Sequence, residues 1–160
     1  MPSDRYRFAR FELAPTVSHR PRVDGYWCET VVRSPDAGGE WHLGGHWADT
    51  PWAALEWLRC QALRIADALD PSPGGGPLAA HGLVVMGATD WNPGRTFREW
   101  AEDADHHRVQ LDALHRGRPV SANSRGPDRV CGFGEVDVFY SLSARPIRRD
   151  APARRLLRAC

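Results

Sequence analysis

The chain has 160 residues, of which 42% are hydrophobic and 26% are charged, and its formal net charge is +1. These are ordinary globular values that exclude a disordered chain, and no stretch reaches the roughly 18 continuous apolar residues of a membrane helix. Nucleic acid is an unexpected partner, because proteins that bind it usually carry a clear basic excess.

A chain of this length typically forms one domain, so we expect a single domain over residues 1–160. The opening residues carry charge with no apolar run behind them, which predicts that no secretory signal is present and that the protein is cytoplasmic. The four cysteines are widely spaced in the chain. That spacing is typical of neither a zinc site nor a disulfide scaffold, so we expect reduced thiols and no cofactor.

Three strands are predicted in the first third of the chain. Residues 5–13 alternate aromatic and charged side chains, and residues 24–33 are rich in aromatic and β-branched types. Residues 39–47 follow a Pro- and Gly-containing turn. Segments of this kind on either side of a turn predict a hairpin.

The strongest helix signal follows this hairpin. Thr50 is a good N-cap, Pro51 suits the first helical position, and the helix should run to about Leu69. At about 100° per residue the large apolar side chains fall on one face. They are Leu55, Leu58, Ala62, Ile65 and Leu69.

The middle of the chain predicts a loop, a strand and a second helix. Residues 70–77 are rich in Pro and Gly and indicate a flexible internal loop. Residues 82–89 are a short apolar run, typical of a strand covered on both faces. The second helix should run from Asn92 to near Arg116, with Gly117 as its C-cap.

The last part of the chain predicts a loop, a strand and a basic tail. Residues 118–129 are polar and predict a loop, and residues 135–143 alternate as a strand with one apolar face. A basic tail over residues 145–160 is expected to end in a short helix after Asp150.

The order of these elements predicts an α+β fold, with a mixed or antiparallel sheet of about five strands and two main helices packed on one face. The order is βββαβαβ plus a short C-terminal helix. Over residues 5–69 it is loosely similar, in topology alone, to the layout of HicB-type antitoxins. The fold rests on four side chains expected to point inward from the helices: Leu58, Ile65, Trp100 and Leu111.

Asp103 and His107 are the candidate catalytic residues. They stand four apart on the second helix and are therefore neighbours on its surface. A carboxylate that orients a partly buried imidazole is a common general base, and the same arrangement is also a common structural hydrogen bond. His42 and His46 would be about 13 Å apart on a strand, too far to share one ion, so no metal site is expected.

Tryptophan is the compositional outlier, with seven residues. Because aromatic side chains are enriched at interfaces, Trp41, Trp47 and Trp57 are candidate binding residues. Arg154 and Arg155 in the tail are candidates for binding phosphates or an acidic partner, against the alternative of a solvated terminal turn.

Two functions remain open, since the sequence contains no standard nucleotide-binding or nucleophile motif. The first is a small binding or protein-interaction module, such as a regulator or an antitoxin-like or immunity-like protein. It would contact a protein partner, or form a homodimer, through the aromatic sheet and first helix. The alternative is a small tailoring enzyme that takes a hydrophobic or aromatic ligand and uses Asp103 and His107 as acid and base. A filled interior with exposed Trp favours the first, and a cleft walled by both residues favours the second.

Overall fold

The computed structural model describes residues 22–72, 91–130, 132 and 134–148. Within these ranges an antiparallel sheet of four strands packs against three helices, which confirms an α+β fold. The elements are β1 (Val23–Ser34), β2 (Gly39–Ala48), α1 (Pro51–Leu69), α2 (Pro93–Glu102), α3 (Ala104–His115), β3 (Val120–Val130) and β4 (Gly134–Arg148).

The strands predicted at 5–13 and 82–89, and the helix predicted after Asp150, lie outside the described residues. The described sheet therefore tests neither the fifth strand nor the C-terminal helix. None of the helices in the described ranges has both the length and the apolar character that crossing a bilayer would require.

The strand order is β2-β1-β4-β3, so within the described sheet β1 and β4 are central and β2 and β3 form the two edges. Thr30 of β1 lies opposite Gly44 of β2 on one side and Leu142 of β4 on the other. The next residue, Val31, pairs with His42. Leu43 is therefore an extra residue in β2, a β-bulge that changes which face the following side chains occupy.

The predicted helix after the hairpin is confirmed as α1. Thr50 caps it by accepting a hydrogen bond on Oγ1 from the Ala53 N–H at 3.1 Å. Four members of its predicted apolar face are buried, with Leu58 and Ala62 fully so, and only Leu69 in the last turn is exposed. Each large buried side chain stabilises the fold by about 1.5–3 kcal/mol.

The single helix predicted from Asn92 to Arg116 is wrong in one respect, because it breaks at Asp103 into α2 and α3. Asp103 leaves the helical region, with φ −78° and ψ 86°, and its carboxylate accepts a hydrogen bond from the His106 N–H at 2.8 Å. Aspartate competes for backbone N–H groups in this way, which is why it starts helices better than it continues them. The N-cap at Asn92 is confirmed, whereas the C-cap is Arg116 rather than Gly117, which follows it at φ +69°.

The polar loop predicted over residues 118–129 is also wrong, because this segment is β3 and pairs along its whole length with β4. Small side chains point under the helices at Val120, Ala122 and Ser124, all buried. Ser121, Asn123 and Arg125, which helped to indicate a loop, are exposed. Pairing with β4 thus stabilises a strand in a segment whose local sequence favours strand only weakly.

Strand β4 carries the apolar face predicted for residues 135–143, with Val138, Tyr140 and Leu142 buried. It continues to Arg148, so the first residues of the predicted basic tail belong to the sheet. Arg148 donates a hydrogen bond to the Gly117 carbonyl oxygen at 2.9 Å. This bond joins the end of β4 to the turn after α3.

The core lies between the helices and one face of the sheet. The largest fully buried side chains there include Phe97 of α2, Leu114 of α3 and Leu142 of β4. Tyr26 of β1 donates its hydroxyl to the Leu114 carbonyl oxygen at 3.1 Å. Of the four side chains expected to point inward, Leu58 and Ile65 are buried, while Trp100 and Leu111 are half-buried and pack against the core.

We predict that Gly94→Ala and Gly44→Ala have opposite effects on stability. A Cβ at Gly94 would lie 2.5 Å from the Asp70 Cβ and 3.1 Å from the Ala66 carbonyl oxygen, where α2 meets the end of α1. A Cβ at Gly44 would have its nearest neighbour, the Trp57 ring, at 3.8 Å.

Overpacking should therefore make Gly94→Ala lose about 1–3 kcal/mol of unfolding free energy in urea titrations. Gly44→Ala should be neutral or gain up to about 1 kcal/mol, because alanine restricts the unfolded chain. Equal losses for both variants would contradict the close contact between α1 and α2.

Candidate functional site

Trp41 and Trp47, two of the candidate binding residues, are 40% and 43% exposed on β2 but lie on opposite faces of the sheet. Trp41 is opposite Val32, which packs against the core, so its side chain is on the helix side. Trp47 is opposite Trp27 and is on the other side. The bulge at Leu43 causes this separation, because six residues along an unbroken strand would return to the same face. The two rings therefore lie along the same strand but on opposite faces of the sheet.

Several tryptophan rings cover glycines in neighbouring backbone. A Cβ at Gly45 would lie 2.8 Å from the Trp27 ring, and one at Gly126 would lie 2.5 Å from the Trp91 ring. The same close approach occurs between Trp47 and Gly25 and between Trp41 and Gly39. Aromatic rings laid over strand glycines shield bare backbone. Part of the high tryptophan content therefore serves the sheet itself.

Trp57, the third candidate, is half-buried where α1 crosses β2. Its ring stacks on the His46 imidazole, with centroids 5.8 Å apart and planes 10° apart. It therefore joins the helix to the edge strand. Among the described strands, β2 pairs on its other edge with none.

The two edges of the described sheet differ in chemistry. Strand β3 carries Arg125 and Pro127 on its exposed side, and such residues protect an edge from pairing with another chain. Strand β2 contains neither Arg nor Pro, and its features that limit pairing are the bulge at Leu43 and the charged Glu40, which is already paired with Arg33. Most of its side chains are exposed. Among them is Leu43 at the bulge, which is 55% exposed. Within the described sheet, edge backbone flanked by exposed aromatic side chains is typical of a site for strand addition.

Leu43 and Trp52 are surface residues that the sequence reasoning did not single out. Trp52 is 61% exposed in the first turn of α1. The sequence could have shown that Trp52 is exposed. It lies in the first turn after Thr50 and Pro51, before the predicted apolar face of the helix begins at Leu55. Leu43 offered no such signal, since only the pairing of β1 with β2 identifies it as the bulge residue.

The charged and histidine side chains of β2 already have partners. Glu40 pairs with Arg33 across the hairpin, and this guanidinium is the main reason that the pKa of Glu40 is lowered. His42 Nε2 lies 3.1 Å from Glu40 Oε1. Within the described part of the chain, no group of three or more His, Cys, Asp or Glu side chains could hold a metal ion.

A cleft of about 310 Å³ opens between the first half of α1 and α3, and we call it the α1–α3 cleft. Its floor includes Leu55 and Ala101, both almost fully buried, and Trp52 stands at its rim. The residues that line it are Trp52, Leu55, Glu56, Arg59, Ala101, Glu102, Ala104, His107, Arg108 and Leu111.

Of the two candidate catalytic residues, His107 lines this cleft, whereas Asp103 is not among the lining residues. The carboxylate of Asp103 is used as the cap of α3. The His107 imidazole packs edge-on against the Trp100 indole, with ring centroids 4.7 Å apart. An acid–base role for the pair stays a prediction, and the Asp103 carboxylate accepts its hydrogen bond from the backbone N–H of His106.

The pKa of His107 is lowered from its ordinary value. Burial is the main cause, and the positive charge of Arg59 on α1 and the neighbouring His106 act in the same direction. A hydrogen bond to the Trp100 backbone and the charge of Asp103 oppose the shift without cancelling it. The imidazole is therefore held in its neutral form at neutral pH.

Comparison with protein-family models, with curated proteins and with solved structures found no match to this chain. The other candidate binding residues, Arg154 and Arg155, lie outside the described residues. Within the described ranges, the β2 edge and the α1–α3 cleft are the candidate sites.

We predict that Asp103→Ala lowers the unfolding free energy by about 0.5–2 kcal/mol, because the N-terminus of α3 loses its cap. Asp103→Ser should keep most of that stability, since serine also caps helices well. Urea unfolding of the three proteins measures both effects. If serine were as destabilising as alanine, capping would not be the role of this carboxylate.

We predict that His107 makes the protein less stable as the pH falls. Its pKa is near 6.5 in the unfolded chain and lower in the folded one, so below about pH 6.5 the unfolded state binds the proton first. Stability should be fully present above that pH and decline towards the folded pKa. The decline in unfolding free energy between pH 7.5 and pH 5 should be shallower in His107→Gln than in the wild type. A steeper decline in the variant would contradict the direction of the shift.

Proposed function

We propose that this protein is an interaction module that binds a protein partner by accepting an extended segment of it as an additional strand on β2. The observation that carries the proposal is the contrast between the two edges of the described sheet. Strand β3 is protected by Arg125 and Pro127, whereas β2 presents exposed aromatic and aliphatic side chains beside backbone that pairs only with β1 among the described strands.

The placement of the two tryptophans favours an edge-on approach over docking on a flat face. Trp41 lies on the helix side of the sheet and Trp47 on the other side. Successive side chains of an added strand also point to alternate faces. A partner segment with apolar residues at alternate positions would therefore meet one ring above the sheet and the other below it.

Charge supports an apolar rather than a charged partner segment. The carboxylate of Glu40 is occupied by Arg33 and His42, and Asp49 accepts a hydrogen bond from the Trp47 indole at 2.8 Å. Main-chain hydrogen bonds would supply much of the affinity, and the aromatic side chains would select the sequence. The stacked Trp57 and His46 hold β2 against α1, which presents the edge as a rigid template.

We predict that Leu43→Lys removes the partner without unfolding the protein. Leu43 is mostly exposed, so the substitution should change stability by no more than about 0.5 kcal/mol. A lysine at an edge blocks strand addition because its charge would lose solvent on pairing. The matched control is Asn123→Lys, an exposed position on the opposite edge strand.

The measurement is native mass spectrometry of the tagged full-length protein isolated from its native host. The wild type and Asn123→Lys should both carry an additional polypeptide, either a second chain of 17.9 kDa or a different protein. Occupancy should fall at least about tenfold in Leu43→Lys, as expected for a hot-spot residue. Bare wild-type monomer, or a complex that survives Leu43→Lys at full occupancy, would overturn the proposal.

A further inference from the structure

The sequence of β2 is nearly symmetric about its centre. Residues 41–47 read Trp-His-Leu-Gly-Gly-His-Trp, so the same two aromatic residues stand at both ends in opposite order. A strand that pairs antiparallel with a second copy of itself, about a two-fold axis, meets its own sequence in reverse. The pattern of β2 is therefore suited to pairing with another β2.

The bulge at Leu43 favours one register for such a pair. Before the bulge the odd-numbered side chains of β2 lie on the helix side of the sheet, and after it the even-numbered ones do, as the pairing with β1 shows. Directly opposite side chains of an antiparallel pair lie on the same face. Every residue of β2 outside the bulge meets this condition when Gly39 lies opposite Ala48 of the second copy, because odd positions then meet even ones.

The bulge also favours a second copy over an ordinary strand. An extra residue in one strand leaves two residues facing one and disrupts regular pairing. In the register above, the bulge of one copy meets the bulge of the other, with Leu43 opposite Gly44, so the two strands have equal numbers of residues. A second β2 thus matches the irregular edge better than a regular strand does.

The central pair buries an exposed leucine against a glycine. Leu43 is 55% exposed, and Gly44 has no side chain. The position of a Cβ at Gly44 is 3.8 Å from the Trp57 ring. In the paired strands, Leu43 of one copy lies beside this position on the other copy. Removing this apolar side chain from water favours the pair.

The register also avoids opposed charges. Glu40 is the one acidic residue of β2, and it lies opposite Trp47 of the second copy rather than opposite another carboxylate. Trp41 lies opposite His46, which gives an aromatic pair on the helix side. Aromatic cross-strand pairs stabilise a sheet, whereas like charges directly opposite each other destabilise it.

We propose that the strand added to β2 is β2 of a second copy of this chain, paired antiparallel about a two-fold axis between Leu43 and Gly44. This inference rests on the proposed function and names the partner. The described four-stranded sheets of the two copies then form one continuous sheet of eight strands.

The register is tested with opposite charges at Leu43, because the two copies of this residue are neighbours across the axis. In sedimentation equilibrium, the purified full-length protein alone should have the mass of two 17.9 kDa chains at micromolar concentration. Leu43→Lys and Leu43→Glu should each raise the dissociation constant of the dimer at least about tenfold, because like charges meet. Mixed in equal amounts, the two variants should form a heterodimer whose dissociation constant is at least about threefold lower than that of either variant alone.

The matched controls are Asn123→Lys and Asn123→Glu, at an exposed position on β3, and both should form dimers as the wild type does. Circular dichroism verifies that all four variants are folded. A dimer that survives both charges at Leu43, or a mixture of the two charged variants that associates no better than either alone, would overturn the inference.

The fate of the proposed function is read separately. If the purified protein is monomeric but carries a different polypeptide when it is isolated from its native host, the inference fails and the proposed function stands. If it is monomeric in both preparations, both fail. Protection of the β2 amides from hydrogen exchange in such a monomer would mean that the chain's own residues occupy the edge.

Discussion

The structure depends on covering one face of the central strands β1 and β4. Strand β1 is hydrogen-bonded to a neighbouring strand on both edges. Its side chains on the helix side, such as Cys28 and Thr30, are buried. Helix α1 covers them with Leu58 and Ala62. Burial is complete enough to raise the pKa of the Cys28 thiol to about 11. The β2 edge and the α1–α3 cleft are both positioned by this layer, since α1 borders β2 on one side and α3 on the other.

Leu43, the extra residue at the bulge, determines on which faces the tryptophans of β2 lie. Without the bulge at Leu43, Trp41 and Trp47 would lie on one face and could form a flat aromatic patch. With it, the rings lie on both sides of one edge, and each also covers a glycine. The same side chains therefore stabilise the hairpin and remain partly exposed along the strand. A strand-shaped partner fits this arrangement better than a flat one.

The break between α2 and α3 has a comparable effect on the other side of α1. Asp103 ends one helix and caps the next. Helix α3 then turns His107 towards α1, where Arg59 and the Trp100 ring surround the imidazole. Asp103, which was predicted to orient His107, also caps the helix that carries this histidine. The cleft follows from this change of direction.

The sequence by itself determined the elements whose signals are local. Helix α1, with its cap at Thr50 and its apolar stripe, the β1–β2 hairpin and the alternating strand β4 were predicted because capping and periodicity involve residues close in the chain. It also indicated His107, Trp41 and Trp47 as residues of interest, from their type and spacing alone.

Only the tertiary structure decided the rest. Strand β3 exists because β4 pairs with it, and the extra residue at Leu43 is defined by its partner strand rather than by its own sequence. The α1–α3 cleft is formed by helices whose lining residues are about fifty positions apart. Pairing register, sheet edges and cavities depend on contacts between distant segments, and periodicity within one segment carries no information about them.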